Sequence, residues 1–183
     1  MSNKTIPEPW QSFFEEIDRK LEEETVLEIL GGFAITQVYG SPRTTADVDV
    51  VSINPRGASQ KLIEMAGEGS PLHKKYKVYL DNVGIAPLPE NYEDRLMEIA
   101  IKSFIHLRLF VLDPYDIALA KIERNIERDR DDIKYLAHVA SLDLKVLKER
   151  YEKELRPILG NPSREDLTLK FWIEAIQEER ASG

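Results

Sequence analysis

The stretch GGFAITQVYGSPRTTADVDVV, residues 31–51, decides the fold of this chain. It ends in a valine-rich run typical of a buried strand, yet that run begins with two carboxylates, Asp47 and Asp49. Because residues i and i+2 of a strand point to the same face, the two carboxylates would lie side by side, with Val48 and Val50 turned the other way. Two like charges this close destabilise the folded state unless a proton or a cation intervenes. Since Mg²⁺ prefers carboxylates together with phosphate oxygens, the pattern favours a divalent-metal site.

A glycine pair precedes this strand. Gly31-Gly32 stands between a short β-rich run, residues 25–30, and a helix predicted over residues 33–39. Glycine permits positive φ and close approach of the backbone to a ligand, and the N-terminus of a helix favours an anion. Alone, such a pair is more typical of a tight turn. Joined to Gly40-Ser41 and to the Asp-Val-Asp strand, it predicts a phosphate-binding turn beside a metal site.

Composition limits the class of protein. The 183 residues are 42% hydrophobic and 32% charged, which is enough for one core or for a core with a helical appendage. Lys and Arg total 25 against 33 Asp and Glu, and this net charge of −8 argues against a generic nucleic-acid coat protein. The absence of cysteine excludes disulfides and thiolate metal sites. With no signal-peptide pattern and no apolar run of membrane-spanning length, we expect a cytoplasmic protein without membrane partners.

The order of predicted elements indicates an α/β fold. We expect a small mixed sheet with flanking helices, followed by a C-terminal helical part. The predicted strands cover residues 25–30, 47–53, 77–81, 95–100 and 107–112. The predicted parts are an N-terminal helix (1–24), an α/β core (25–112) and a helical C-terminal part (113–183).

The sequence resembles the DNA polymerase beta-like nucleotidyltransferase superfamily. The features that carry the resemblance are a glycine pair, then Gly-Ser, then Asp-x-Asp on the next strand. Within that superfamily the sequence motif is most similar to that of the small nucleotidyltransferases related to the AbiEii toxin of bacterial abortive-infection systems. Three later stretches resemble the same family: PENYEDRLMEI (89–99), LFVLDPYDIALAKI (109–122) and RDRDDIKYL (128–136). The resemblance covers roughly residues 25 to 140 and implies the nucleotidyltransferase fold for that part of the chain.

The resemblance also implies roles for individual residues. Asp47 and Asp49, with Asp81 as the expected third carboxylate, would hold two Mg²⁺ ions, or Mn²⁺. The implied nucleotide-binding residues are Gly31, Gly32, Gly40, Ser41, Arg43 and Lys121. The implied catalytic residues are Asp47, Asp49, Lys121 and Asp132, with Asp129 as the alternative to Asp132 in the acidic RDxxD element.

Several of these residues also have a plain structural explanation. Arg43 either neutralises the aspartate pair or is solvated. Lys121 lies in an amphipathic helix, where an exposed lysine is the usual outcome, and Asp129 is well placed as a helix N-cap with Asp132 at the third position. In an unbroken helix Lys121 and Asp132 would share a face about 16 Å apart along the axis, too far for direct pairing. The basic cluster of residues 73–77 fits either a solvated face or contact with RNA or a nucleotide.

The resulting hypothesis is transfer of a nucleoside monophosphate from a nucleoside triphosphate to an acceptor hydroxyl. The acceptor stays open between an RNA 3′ end, a protein side chain and a small molecule. The resemblance adds a possible toxin role together with a partner protein from a two-gene system. The alternative is a non-catalytic nucleotide-binding or partner-binding module that keeps the fold. An antitoxin-like partner is a third hypothesis, but the acidic C-terminal helices do not suggest a DNA-reading helix.

Overall fold

The computed structural model describes residues 6–182 and divides the chain into two compact units. The first unit comprises the chain up to Ile85 together with Leu96–Leu112, and the second comprises Ala86–Arg95 with Asp113–Gly183. Helix α1 belongs to the same unit as the sheet, and residues 86–95 group with the C-terminal helices. The predicted fold class is confirmed, since the first unit is a mixed sheet with helices and the second is helical.

The sheet of the first unit has five strands in the order β3-β2-β1-β5-β4. The strands are β1 (Thr25–Leu30), β2 (Asp47–Asn54), β3 (Tyr79–Asn82), β4 (Met97–Ile99) and β5 (Leu107–Val111). β1 runs antiparallel to β2 and parallel to β5, β2 runs parallel to β3, and β4 runs antiparallel to β5. The sheet is therefore mixed, as predicted, with β3 at one edge next to the aspartate strand.

Strand β2 contains one extra residue. Ile29 of β1 pairs with Val50, but the preceding Glu28 pairs with Ser52, so Val51 has no counterpart in β1. A bulge of this kind shifts the alternation of the strand by one position. As a result Ile53 and Val50 both face the core although they are three residues apart, and Asp49 keeps its place on the opposite face.

Helices of the first unit cover the apolar face of the sheet. They are α1 (Trp10–Lys20), α2 (Gly31–Phe33, continued as a π-helix over Ala34–Val38), α3 (Ala58–Ala66) and α4 (Pro71–Tyr76). The aromatic residues of α1 lie at helical spacing and are buried, and Phe14 packs edge-on against Phe33 with 5.6 Å between ring centroids. Helix α4, which the sequence did not predict, begins at Pro71 after the cap Ser70, whose hydroxyl accepts from the backbone N–H of His73.

A buried carboxylate ties α1 to the start of β5. Asp18 Oδ1 accepts hydrogen bonds from the backbone N–H groups of His106 (2.8 Å) and Leu107 (2.7 Å), and both oxygens accept from the N–H of Ile105 (3.0 and 3.1 Å). Charge-assisted bonds of this type are stronger than neutral ones. Asp18 therefore fixes the loop that leads into the sheet.

We expect Asp18→Asn to lower the free energy of unfolding by about 2 kcal/mol. Asparagine keeps one acceptor oxygen, but its NH₂ group cannot accept from a backbone N–H, and the negative charge is lost. Denaturant unfolding of the variant should be compared with that of Asp94→Asn, which makes the same change at an exposed position. Equal stability of the two variants would show that the Asp18 bonds contribute little.

The second unit consists of helices and of the segment Ala86–Arg95. Its helices are α5 (Pro114–Leu119), α6 (Glu127–Val139), α7 (Leu144–Arg150, continued by Tyr151–Leu155 and Arg156–Ile158) and α8 (Ser163–Ser182). Arg95 holds the segment to these helices, because its guanidinium donates to the fully buried Asp116 (2.9 Å) and to Glu154 (2.8 Å). Within residues 6–182 no helix is long and apolar enough to cross a membrane.

Candidate functional site

Three carboxylates and a phenol lie on one face of the β2–β3 pair. Asp47 is the register partner of Tyr79, and Asp49 is the register partner of Asp81. Since residues opposite each other on neighbouring strands point to the same face, these four side chains share the face that points away from the apolar core. Val48, Val50 and Leu80 occupy the core face and are buried. The structure thus brings the predicted pair and the predicted third carboxylate onto adjacent positions of one surface.

The glycine pair approaches the aspartate strand closely. Gly31 has φ +71°, and a Cβ at this position would overlap the carboxylate of Asp49. The backbone N–H of Gly32 points at Asp49 Oδ2, at 3.4 Å. Glycine is therefore needed at position 31 both for the positive φ and for space. The helix begins at Gly31, two residues before the predicted start, so the glycine pair forms its first turn.

The loop between the glycine turn and β2 folds back over Gly32. The position that a Cβ of Gly32 would take lies 2.8 Å from Thr45 Oγ1 and 3.1 and 3.2 Å from the two terminal nitrogens of Arg43. The Thr45 hydroxyl also hydrogen-bonds to Asp47 Oδ1. Arg43 thereby places a positive charge beside the glycine turn, and Thr45 holds one of the aspartates.

Gly40 and Ser41 form the exit from the π-helix. Gly40 has φ +78°, and the backbone N–H of Ser41 donates to the carbonyl oxygen of Ile35 at 3.0 Å. This N–H is thus engaged within the protein. Any contribution of Ser41 to phosphate binding would come from its half-buried hydroxyl.

The carboxylates make this face strongly negative. Burial raises the pKa of Tyr79, and the charges of Asp47, Glu68, Asp81 and Asp49 raise it further, because each of them opposes a phenolate. Tyr79 is therefore a neutral phenol at physiological pH. Within residues 6–182 no group of three or more His, Asp or Glu side chains is gathered closely enough to hold a metal ion as it stands. Asp47 and Asp49 instead lie against Thr45 and the glycine turn.

Lys121 and the acidic RDxxD element come together within the second unit. Helix α5 ends at Leu119, with Ala120 as its C-cap, and the chain turns through Asn125 (φ +43°) before α6 begins. Lys121 Nζ lies 3.0 Å from Asp129 Oδ1 and 3.1 Å from Asp132 Oδ2, and all three side chains are buried. The separation of about 16 Å expected for an unbroken helix is wrong for this chain, because the turn brings the groups into direct contact.

Asp129 is the most strongly held carboxylate of this group. Burial alone would raise its pKa, but hydrogen bonds from Arg124 and Lys121 outweigh burial and hold the pKa at about 2. Its Oδ2 also accepts from the backbone N–H of Ile126 at 3.2 Å. Asp129 is thus the third residue of α6 and not its N-cap as the sequence suggested, because the helix begins at Glu127.

We expect Gly31→Ala to lower the free energy of unfolding by about 1–3 kcal/mol and to reduce any activity that depends on Asp49. The methyl group would be strained by the positive φ and would displace the Asp49 carboxylate. Gly84→Ala is the matched control, since Gly84 has φ +63° and no atom lies within 4 Å of the position that its Cβ would take, so that this change adds only the strain. Equal loss of stability and activity in both variants would contradict the close approach at Gly31.

Two residues that lie beside the aspartates have no predicted role in the site. The sequence predicts only a strand at Tyr79, which precedes Asp81 by two positions and so shares its face. The sequence assigns no role to Thr45, which lies in the loop before β2. The period of two in β3 was the available signal for Tyr79, whereas nothing in the sequence indicated that Thr45 turns toward Asp47.

One known family matches most of this chain. Residues 11–180 match the model of a family described as "Nucleotidyltransferase of unknown function (DUF6036)". The match spans both compact units. Neither the curated proteins nor the solved structures include one that matches the chain.

Proposed function

Since the chain belongs to the nucleotidyltransferase family DUF6036, we propose that it transfers a nucleoside monophosphate from a nucleoside triphosphate to an acceptor hydroxyl. The acceptor oxygen forms a bond to the α-phosphorus, and the bond from that phosphorus to the oxygen of the departing pyrophosphate breaks. The proton of the hydroxyl passes to a carboxylate of the β2–β3 face. From the resemblance to AbiEii-related enzymes, we also propose that the protein acts as a toxin with a partner protein.

The observation that carries the proposal is the register of β2 and β3. It sets Asp47, Asp49 and Asp81 on one face, at the point where the glycine turn meets Asp49. A structural role alone would not favour three carboxylates on neighbouring positions of one surface, because they repel one another. A face that binds a divalent cation, which in turn bridges phosphates, explains the arrangement.

The donor set suits Mg²⁺ or Mn²⁺, since both are hard cations that prefer carboxylate oxygens. Asp47 and Asp49 would hold the metal, with Asp81 as the third carboxylate from the neighbouring strand. When bound there, such ions polarise phosphoryl oxygens and stabilise charge on the attacking and leaving oxygens. The aspartates themselves would hold the cation and so orient the triphosphate. The cation's charge would offset the repulsion between the acidic face and the phosphates.

The glycine turn and Arg43 supply the phosphate side of the site. Gly31 lets the backbone approach the Asp49 carboxylate closely, so phosphates at this turn would lie beside the aspartate that holds the cation. Arg43, with its terminal nitrogens beside Gly32, would pair with phosphate oxygens. These groups act by positioning the triphosphate and by stabilising its charge, which account for most of the catalysis in phosphoryl transfer.

A non-catalytic nucleotide-binding module is the second candidate, and one observation favours it. Lys121, expected from the resemblance to neutralise the triphosphate, is buried and paired with Asp129 and Asp132. A lysine held in this way is committed to the fold of the second unit. A module of this kind would bind a nucleoside triphosphate without releasing pyrophosphate.

The proposal is tested by incubating the protein with each of the four α-³²P-labelled nucleoside triphosphates in Mg²⁺ or Mn²⁺. Total RNA and a protein lysate serve as separate acceptor fractions. We expect label to enter one fraction with one or more of the nucleotides, with pyrophosphate released in equal amount, and EDTA to stop both. Nucleotide binding without label transfer or pyrophosphate release would support the non-catalytic candidate instead.

A further inference from the structure

Tyr79 is the one uncharged side chain among the four on the face formed by Asp47, Asp49 and Asp81. It lies directly opposite Asp47 and two residues before Asp81, so its ring and hydroxyl belong to the same surface as the carboxylates. It is half-buried, and within residues 6–182 its hydroxyl makes no hydrogen bond to another side chain or backbone group. An oriented phenol therefore stands beside the carboxylates with its polar end available.

His73 braces the Tyr79 ring. The two ring centroids are 4.7 Å apart, with the planes tilted by 48°. His73 is itself fixed at two points, since Nδ1 accepts from the backbone N–H of Gly69 (2.8 Å) and its own backbone N–H donates to Ser70 Oγ (3.1 Å). The Tyr79 ring thus packs against His73, a side chain that is itself fixed by hydrogen bonds.

The order of the strands places the glycine turn and Tyr79 on opposite sides of β2, the strand of Asp47 and Asp49. The glycine turn follows β1, which pairs with one side of β2, and Tyr79 lies on β3, which pairs with the other. In phosphoryl transfer the attacking and leaving oxygens lie roughly in line on opposite sides of the phosphorus. With the phosphates at the glycine turn, the attacking hydroxyl must approach from the β3 side.

We infer that Tyr79 binds the acceptor, with its phenol hydroxyl forming a hydrogen bond to a polar group next to the attacking hydroxyl, and that His73 is a positioning residue acting through the Tyr79 ring. This inference rests on the proposed function. Tyr79 exchanges no proton in the reaction; it fixes the acceptor so that its oxygen faces the α-phosphorus. An edge strand suits this role, because β3 has no further strand beyond it, within the described residues, to exclude a large acceptor.

Tyr79→Phe removes the hydroxyl and keeps the ring. We expect kcat/KM for the acceptor fraction to fall by roughly three- to tenfold, which corresponds to the loss of one hydrogen bond, while KM for the nucleotide stays unchanged. Initial rates are measured with total RNA, or with the protein lysate if the wild type labels that fraction. Tyr76→Phe is the matched control, since the hydroxyl of Tyr76 donates to Glu16 (2.6 Å) and not to the carboxylate face; its acceptor kinetics should match the wild type.

Two substitutions at His73 separate positioning from folding. His73→Asn keeps an acceptor for the Gly69 N–H but removes the ring, and His73→Phe keeps a ring but removes that acceptor. We expect His73→Asn to weaken the acceptor kcat/KM and His73→Phe to retain most of it. In the Tyr79→Phe background, His73→Asn should have little further effect, because the bond it positions is already lost.

The outcomes are distinguishable. Wild-type kinetics in Tyr79→Phe, or an equal fall in the kinetic parameters for nucleotide and acceptor, would overturn the assignment of Tyr79 while label transfer by the wild type still upholds the proposed function. Additive effects of the Tyr79 and His73 substitutions would overturn the role of His73. If the wild type transfers no label to either fraction, both the proposed function and the inference fall.

Discussion

Asp49→Asn is expected to reduce nucleotidyl transfer by roughly a thousandfold, the loss that follows removal of one preorganised group that stabilises transition-state charge. Asparagine keeps the shape of the side chain and one acceptor oxygen near the N–H of Gly32. It removes the negative charge on which cation binding depends. The expected defect is therefore one of chemistry and not of folding.

The same substitution is expected to leave the metal-free protein at least as stable as the wild type. Asp47, Asp49 and Asp81 lie on one face, so removing one of the three charges relieves repulsion. Thermal melts with and without Mg²⁺ and nucleoside triphosphate measure both effects. In the wild type, ligand at a hundredfold excess over its dissociation constant adds about 2.7 kcal/mol to stability, and this gain should vanish in Asp49→Asn.

Asp94→Asn is the matched control for this experiment, since it makes the same charge change at an exposed position outside the β2–β3 face. It should retain wild-type transfer and the full ligand-induced shift. A shift that survives in both Asp47→Asn and Asp49→Asn, or a metal-free protein that unfolds on either change, would mean that the aspartate pair is structural.

Lys121→Met is expected to lower the free energy of unfolding by about 3–5 kcal/mol at pH 7. Lys121 is only 5% exposed, and it is the cation shared by the buried Asp129 and Asp132. Methionine fills a similar volume but leaves two buried carboxylates without this charge. Lys148→Met is the matched control, because Lys148 is exposed and pairs with Glu152 at the surface; its effect should stay below about 0.5 kcal/mol.

The pKa of Asp129 predicts how the effect of Lys121→Met on stability changes with pH. The pKa of Asp129 is lowered to about 2 in the folded protein, so its contribution to stability is present above the unfolded value near 4 and is lost as pH falls toward 2. Lys121→Met removes one of the two cations that lower the pKa of Asp129 and leaves Arg124 in place. The stability that Lys121 adds through Asp129 should therefore be complete at pH 7 and should fall as pH drops from about 4 toward 2, as denaturant unfolding of wild type and variant at about pH 7 and about pH 3 would show.

Nucleotide binding by the same variant separates a fold role from a ligand role. If Lys121 contacts the triphosphate, as the resemblance implies, Lys121→Met should weaken nucleoside triphosphate binding more than nucleoside binding. Calorimetry at a temperature where the variant remains folded measures both affinities. An equal change in the two would assign Lys121 to the stability of the second unit alone.

The sequence by itself determined the strand that carries the aspartates and its neighbours. Asp47 and Asp49 flank Val48. The alternation of side chains in a strand places the two carboxylates on one face and the valine on the other, whichever strands are its neighbours. The predicted strand over residues 25–30 matches β1, because apolar periodicity and the glycine pair that follows it are local signals. The α/β class follows from the same local patterns.

Only the tertiary structure decided which residues meet. The pairing of β2 with β3 sets Asp81 and Tyr79 beside the aspartates, and a register depends on the whole sheet, not on either strand. The turn through Asn125 brings Lys121 onto Asp129 and Asp132, where helical periodicity alone predicted an exposed lysine. The physical reason is common to both cases: local propensity sets the direction of a side chain within its own element, whereas the partner of a charge is set by packing between elements distant in sequence.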